Sequence, residues 1–280
     1  MPIHDLGYRH WSGQWTSHPY RWWVITRQGV RLLAGKRRFL FLMALSAIPF
    51  VVRCVMLYAA TVLGNLPFLK IDAAFFRDFL SQQMFFTFVI AIYAGSGLIS
   101  NDLKANALQI YLAKPITRKD YVVGKLGVVA FFLSLPTLVP ALLLFVLAVA
   151  FQPGGAFVRE FGWVPGSIVA YSLVIILTNG LVVLAVSSLT RSSRFAGINF
   201  AAIFLFSQIL YGILSSILRT KAVACVSLTN NLRLFGDLVF GTRPQYSGAP
   251  LWLSALVVAA LSAGSAWVVY RRVRAVEVVK

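Results

Sequence analysis

The chain has 280 residues, 59% of them hydrophobic and only 12% charged, with a formal net charge of +18. An ordinary soluble domain carries roughly a quarter charged residues, and a soluble globule cannot hide this much apolar surface, so composition excludes a soluble protein and leaves one integral membrane domain without a separate soluble one. Two cysteines, Cys54 inside an apolar run and Cys225 in a later loop, make neither a disulfide framework nor a metal-ligand spacing.

The leader, residues 1–38, opens with His4, Asp5, Arg9 and His10. That is unlike the short basic start and compact apolar core of a cleavable signal, so the first apolar run is expected to stay as an anchor. From residue 20 to 38, Trp22, Ile25, Gly29, Leu32 and Leu33 recur near a helical period, while Arg21, Arg27, Gln28 and Arg31 fall elsewhere. The pattern predicts an amphipathic helix lying on the membrane surface, with its arginines facing anionic lipid; the alternative is a plain basic segment beside the membrane.

Six apolar runs follow, at 39–63, 84–100, 124–151, 164–189, 195–218 and 250–270. Runs of about 20 apolar residues match a hydrocarbon core about 30 Å thick, and in lipid such unbroken runs satisfy their backbone as helices. Between the second and third runs lies the 21-residue loop 101–121, NDLKANALQIYLAKPITRKDY. Leu103, Ala107, Leu108, Ile110, Tyr111 and Leu112 put an apolar stripe on a short helix that Pro115 closes, and Thr117 with Asp120 reads as a capping box opening the third span. Such a stripe either docks a partner or lies in the headgroup region.

Pro136 and Pro140 are expected to bend the third span. In the loop 219–249, Leu228, Leu232, Phe235 and Leu238 or Val239 recur at helical spacing, which predicts a small helix that dips into the leaflet or caps a pathway, with a surface loop as the alternative. Ala255, Ala259, Ala260, Ala263 and Gly264 give the sixth span a close-packing stripe, a pattern common to helical bundles.

The leader, the 101–121 loop with the entry to span three, the loop at Arg191 and Arg194, and the tail together hold eighteen lysines and arginines, against seven in the opposite loops. By the positive-inside rule both termini are cytoplasmic. The charges flank the membrane rather than gather on one folded face, which argues against nucleic-acid binding. The fold class is therefore all-α: a polytopic membrane protein of six transmembrane helices, with an N-terminal surface helix, a cytoplasmic loop helix and a small outer helix. Two divisions are expected, the leader 1–38 and the transmembrane domain 39–280.

Within those six runs there is no Asp, Glu or His. Proton-coupled carriers and intramembrane enzymes keep ionisable groups at mid-membrane. Arg53 lies well inside span one, where snorkelling or pairing with Asp72 or Asp78 is the expectation. Asn179 and Gln208 are candidates for a pathway or for packing between helices. The nearest approach to a phosphate-cradling loop, GVRLLAGK at 29–36, has five residues between its glycines and continues with Arg37, so no nucleotide site is encoded. No metal site and no catalytic residue is expected, and any energy for work must arrive from outside the chain.

The segment 101–125 resembles the first cytoplasmic loop of the type-2 ABC transporter permeases. Their loop reads as an acidic residue, a Gly-Thr pair, a Leu-rich helix, Pro-Ile-Ser/Thr-Arg, an acidic-Tyr pair and a Gly-Lys. This chain supplies Asp102, then Leu108, Tyr111 and Leu112, then Pro115, Ile116, Thr117, Arg118, Asp120, Tyr121, Gly124 and Lys125, with Ala105 and Asn106 in place of Gly-Thr.

The resemblance implies a coupling helix seated on a separate ABC ATPase subunit, present in two copies and carrying the ATP and magnesium, so this chain needs no cofactor of its own. Its candidate contacts are Asp102, Leu108, Tyr111, Leu112, Pro115 and Arg118, all mechanical. A second permease copy or a related permease would complete the path, in contact with membrane lipids and with no nucleic acid. The expected function is the transmembrane permease of an ATP-driven exporter in a bacterial cytoplasmic (inner) membrane. The alternative is a non-transporting module that uses the same coupling to act on a partner or to signal. The largely apolar spans lean towards an amphiphile, lipid or hydrophobic peptide as substrate.

Overall fold

The computed structural model describes residues 20–62, 70–108, 111, 116–152 and 155–273. Among them every regular element is helical, and six helices are long and apolar enough to cross a membrane: Arg37–Thr61, Ala73–Lys104, Arg118–Phe151, Val164–Leu189, Ser193–Leu218 and Leu251–Arg272, here spans one to six. A surface helix, Arg21–Ala34, precedes span one, a short helix, Ala156–Phe161, joins spans three and four, and a cap helix, Leu228–Phe240, joins spans five and six. The all-α expectation with its surface and cap helices holds, and the His-bearing start of the leader lies outside the described residues.

Span four is the centre of the bundle, with 67% of its apolar window buried, and span five is applied to the outside, with 6% buried. Spans two and four meet closely because Gly95 leaves room for Val183; a Cβ at Gly95 would stand 2.4 Å from a Val183 methyl. The core has two halves. Ile90, Ile99, Tyr121, Phe132 and Val183 pack at the end that carries the surface helix. Phe76, Phe79, Tyr171, Leu232 and Phe240 pack at the cap end.

Two spans are broken. Span three stops at Ser134 and restarts at Leu138, the bend expected of Pro136, where the Thr137 hydroxyl donates to the Leu133 carbonyl at 2.7 Å. Span one breaks between Leu45 and Ile48, with Pro49 in the first turn of its second half. Proline lacks the N–H that would continue the ladder, so it sits where a helix begins.

Span two begins at Ala73, well before the expected 84, with Asp72 capping it by accepting from the Phe75 amide at 3.1 Å. Arg77 and Asp78, expected in a loop, are therefore helical. The cap helix covers Arg77, which pairs with the fully buried Asp237 at 2.9 Å and with the exposed Asp78 at 3.2 Å. The small-residue stripe of span six faces away from the rest of this chain. Ala259, Ala260, Ala263 and Gly264 are exposed, and Ser254, Val258, Ser265 and Val269 are the residues buried.

Candidate functional site

The loop between spans two and three is built from both of its stems. Span two ends at Lys104, and Asn106 takes a positive φ of 51°. Asparagine tolerates the left-handed region better than most residues, so it turns the chain where glycine would otherwise be needed. Ala107, Leu108 and Tyr111 are helical beyond that turn. Leu103 thus belongs to span two, and the stripe once read as continuous is interrupted between it and Ala107. Thr117 and Asp120 form the capping box in both directions: the Asp120 amide donates to the Thr117 hydroxyl at 3.1 Å, and the Thr117 amide donates to the Asp120 carboxylate at 3.0 Å.

Asp102 ties the stems together. It accepts the Tyr121 hydroxyl at 2.7 Å and the Lys125 ammonium at 2.7 Å, so the last turn of span two is bonded to the first two turns of span three. Lys125 also stands 5.7 Å from the Tyr111 ring centroid and 5.3 Å from that of Tyr121, and the two rings lie 5.4 Å apart. A desolvated cation above aromatic faces adds to the ion pair. Burial, with the Asp102 carboxylate, pushes the Tyr111 phenol above its ordinary pKa.

Four of the six candidate contacts fall on described residues. Asp102 and Tyr111 are half-buried in this cluster, Leu108 is 7% exposed and packed into the core, and Arg118 is exposed. Leu112 and Pro115 lie outside the described residues. Among the described residues of the loop, the exposed ones include Lys104, Asn106, Arg118 and Lys119.

The surface helix clasps the same stem. Thr26 donates its hydroxyl to the Gly124 carbonyl at 3.0 Å, and a Cβ at Gly124 would sit 2.9 Å from the Trp22 carbonyl oxygen. From the other side, Gly29 admits Val128. Ile25 and Leu33 are buried there, whereas Leu32, counted with them from periodicity, is 62% exposed. A cavity of about 800 Å³ remains between the surface helix, span two and the loop, lined among others by Lys36, Asn101 and Tyr111.

Arg53, Asn179 and Gln208 do not form one site. The Arg53 guanidinium stacks on the Phe75 ring at 4.8 Å, while Asp72 serves as a helix cap and Asp78 holds Arg77. Asn179 is buried and donates to the Ile175 carbonyl at 2.8 Å; Gln208 accepts from the Ser227 hydroxyl. These two line one cavity of about 390 Å³ bounded by span two, span five and the cap helix. Arg233, which periodicity did not single out, lines it too.

The family model described as ABC-2 family transporter protein matches residues 39–239, from the start of span one into the cap helix. The chain belongs to this family. It is a transmembrane component of an ABC transporter, and the family implies association with an ABC ATPase subunit. No curated protein is similar enough to count as a match. The fastened loop of this ABC-2 permease lies within the matched residues.

Proposed function

We propose that this permease works in an ATP-driven exporter of a bacterial cytoplasmic membrane, moved by two copies of a separate ATPase that dock on the loop between spans two and three and carry the ATP and magnesium. A second copy of the permease completes the path. The excess of lysine and arginine at the surface-helix end supports placing that end, with both termini, in the cytoplasm. The leader 1–38 then lies on the inner surface and 39–280 forms the permease domain.

The observation that carries this reading is the bonding of Asp102 to both Tyr121 and Lys125. A loop so fastened moves as one body with the inner ends of spans two and three, so force on its exposed edge reaches the bundle. Docking would fall to Arg118 and its exposed neighbours, while Asp102, Leu108 and Tyr111 hold the loop's shape. Affinity purification from native membranes tests the reading. Two ATPase and two permease copies are expected; an isolated permease fully competent without an ATPase would sink it.

The cavity holding Asn179 and Gln208 is the candidate binding chamber. Its walls are mostly apolar, with Phe88 and Phe204 among them, which suits an amphiphile better than a sugar or an ion. Amphiphile-stimulated ATP hydrolysis in reconstituted vesicles would separate transport from a purely mechanical role.

A further inference from the structure

The chamber between span two, span five and the cap helix is mixed in polarity. Ser81, Gln82, Thr229 and Arg233 line it on the cap side with Leu232, and Phe85, Phe88, Phe204 and Leu205 line it further along the spans with Asn179. From Ser81 to Phe88 the wall rises about 10 Å at 1.5 Å per residue, enough for a polar head and the start of an apolar chain.

Arg233 is the charge in this chamber, and its electrostatics are incomplete. Its Nη1 donates to the Tyr246 hydroxyl at 3.3 Å, and its Nε is buried without a hydrogen-bond partner. Among the described residues no carboxylate pairs with it. The acid one helical turn away, Asp237, is fully buried and committed to Arg77, to the Thr242 hydroxyl and to the Gln245 amide. Gln208, which lines the same chamber, accepts the Ser227 hydroxyl with its carbonyl oxygen and keeps its amide nitrogen without a protein partner among those residues. A guanidinium whose buried Nε lacks a partner and a free amide donor, both lining an apolar chamber, suit an acceptor-rich anion, because a buried donor left unpaired is costly.

We infer that the chamber binds an acidic amphiphile, a phosphate or carboxylate on an apolar chain, with the acid group at Arg233 and Gln208 and the chain against Phe88 and Phe204. This deepens the transport reading by naming a substrate class for its chamber. The same chemistry is offered by an anionic membrane phospholipid and by a free single-chain acid.

Binding of dodecyl phosphate to the full-length permease in neutral phosphatidylcholine nanodiscs tests the inference without any ATPase, so its failure is separate from failure of the docking reading. Saturable binding is expected, with Arg233→Gln weakening it about tenfold or more and Arg233→Lys keeping part of it. Dodecyl maltoside, with the same chain and a neutral head, and inorganic phosphate, with no chain, should compete poorly. Competition by phosphatidylglycerol in the nanodisc would make a membrane lipid the natural occupant; indifference to it would make the occupant a free acid, and either result upholds the acidic amphiphile. Unchanged dodecyl phosphate binding in a folded Arg233→Gln protein, or equal competition by dodecyl maltoside, would overturn it.

Discussion

Ser187 of span four donates its hydroxyl to the Ser96 carbonyl of span two at 2.7 Å and, with the same oxygen, accepts from the Ile99 and Ser100 amides at 3.2 and 3.0 Å. A side chain thus enters the backbone ladder of span two just above the loop, an arrangement that marks bends in long helices. Ser187→Ala should cost about 1 kcal/mol, since the Ile99 and Ser100 amides can reclose on the carbonyls of Gly95 and Ser96 and only one net hydrogen bond is lost. Thermal unfolding in detergent checks this, and a loss above about 3 kcal/mol would show that the ladder does not reclose.

Asp102→Asn should keep the Tyr121 hydrogen bond but strand the Lys125 ammonium, whose side chain is 10% exposed. Removing one partner of a buried pair costs about 3 kcal/mol or more, and Asp102→Asn with Lys125→Met should recover much of it. A double-mutant cycle on unfolding free energy measures the coupling. Additive single effects would mean that the pair does not hold the stems together.

Gly124→Ala should push the surface helix off span three, because the new methyl would meet the Trp22 carbonyl and Ile25. Overpacking of this kind costs about 1–3 kcal/mol. Faster labelling of a cysteine placed at the buried Leu33 would report the lifted helix; unchanged protection of that position would contradict the clasp.

Asp237→Asn should be among the most destabilising changes at the cap end. It removes the charge that Arg77 needs and weakens the anchorage of Thr242 and Gln245, at a cost of about 3–5 kcal/mol. Denaturation together with proteolysis of the cap helix gives the reading, and a change below about 1 kcal/mol would show that Asp78 alone suffices for Arg77.

Arg118→Glu should leave unfolding within about 0.5 kcal/mol, as for other exposed positions, while lowering the amount of ATPase that copurifies. Leu108→Asp should lose ATPase for a different reason, because a charge placed in the core unfolds the loop. Equal melting temperatures for the two variants would remove that distinction.

The spans were legible because unbroken apolar runs announce themselves without any tertiary information, and Pro136 and the Thr117–Asp120 box declared a break and a start locally. The cap-end extension of span two is not, since Arg77 and Asp78 read as loop charges, and the partner that buries Arg77, Asp237, lies far along the chain. Periodicity made one stripe of Leu103 and Ala107 because a single left-handed residue, Asn106, leaves no mark on an apolar pattern. The resemblance names Leu108 and Tyr111 as docking contacts; that Leu108 packs into the chain's own core and Tyr111 against Tyr121 is a property of the folded loop that no local pattern announces. Arg233 was passed over as one more loop cation, since its want of a carboxylate is a property of its surroundings.

The most direct test places a photo-crosslinking amino acid at Arg118, at the start of span three, in native membranes, with Arg219, after the cap-end terminus of span five, as the control. An adduct between position 118 and an ABC ATPase, absent at position 219, is the expected result. An ATPase adduct at position 219 with none at 118 would contradict docking on the loop between spans two and three.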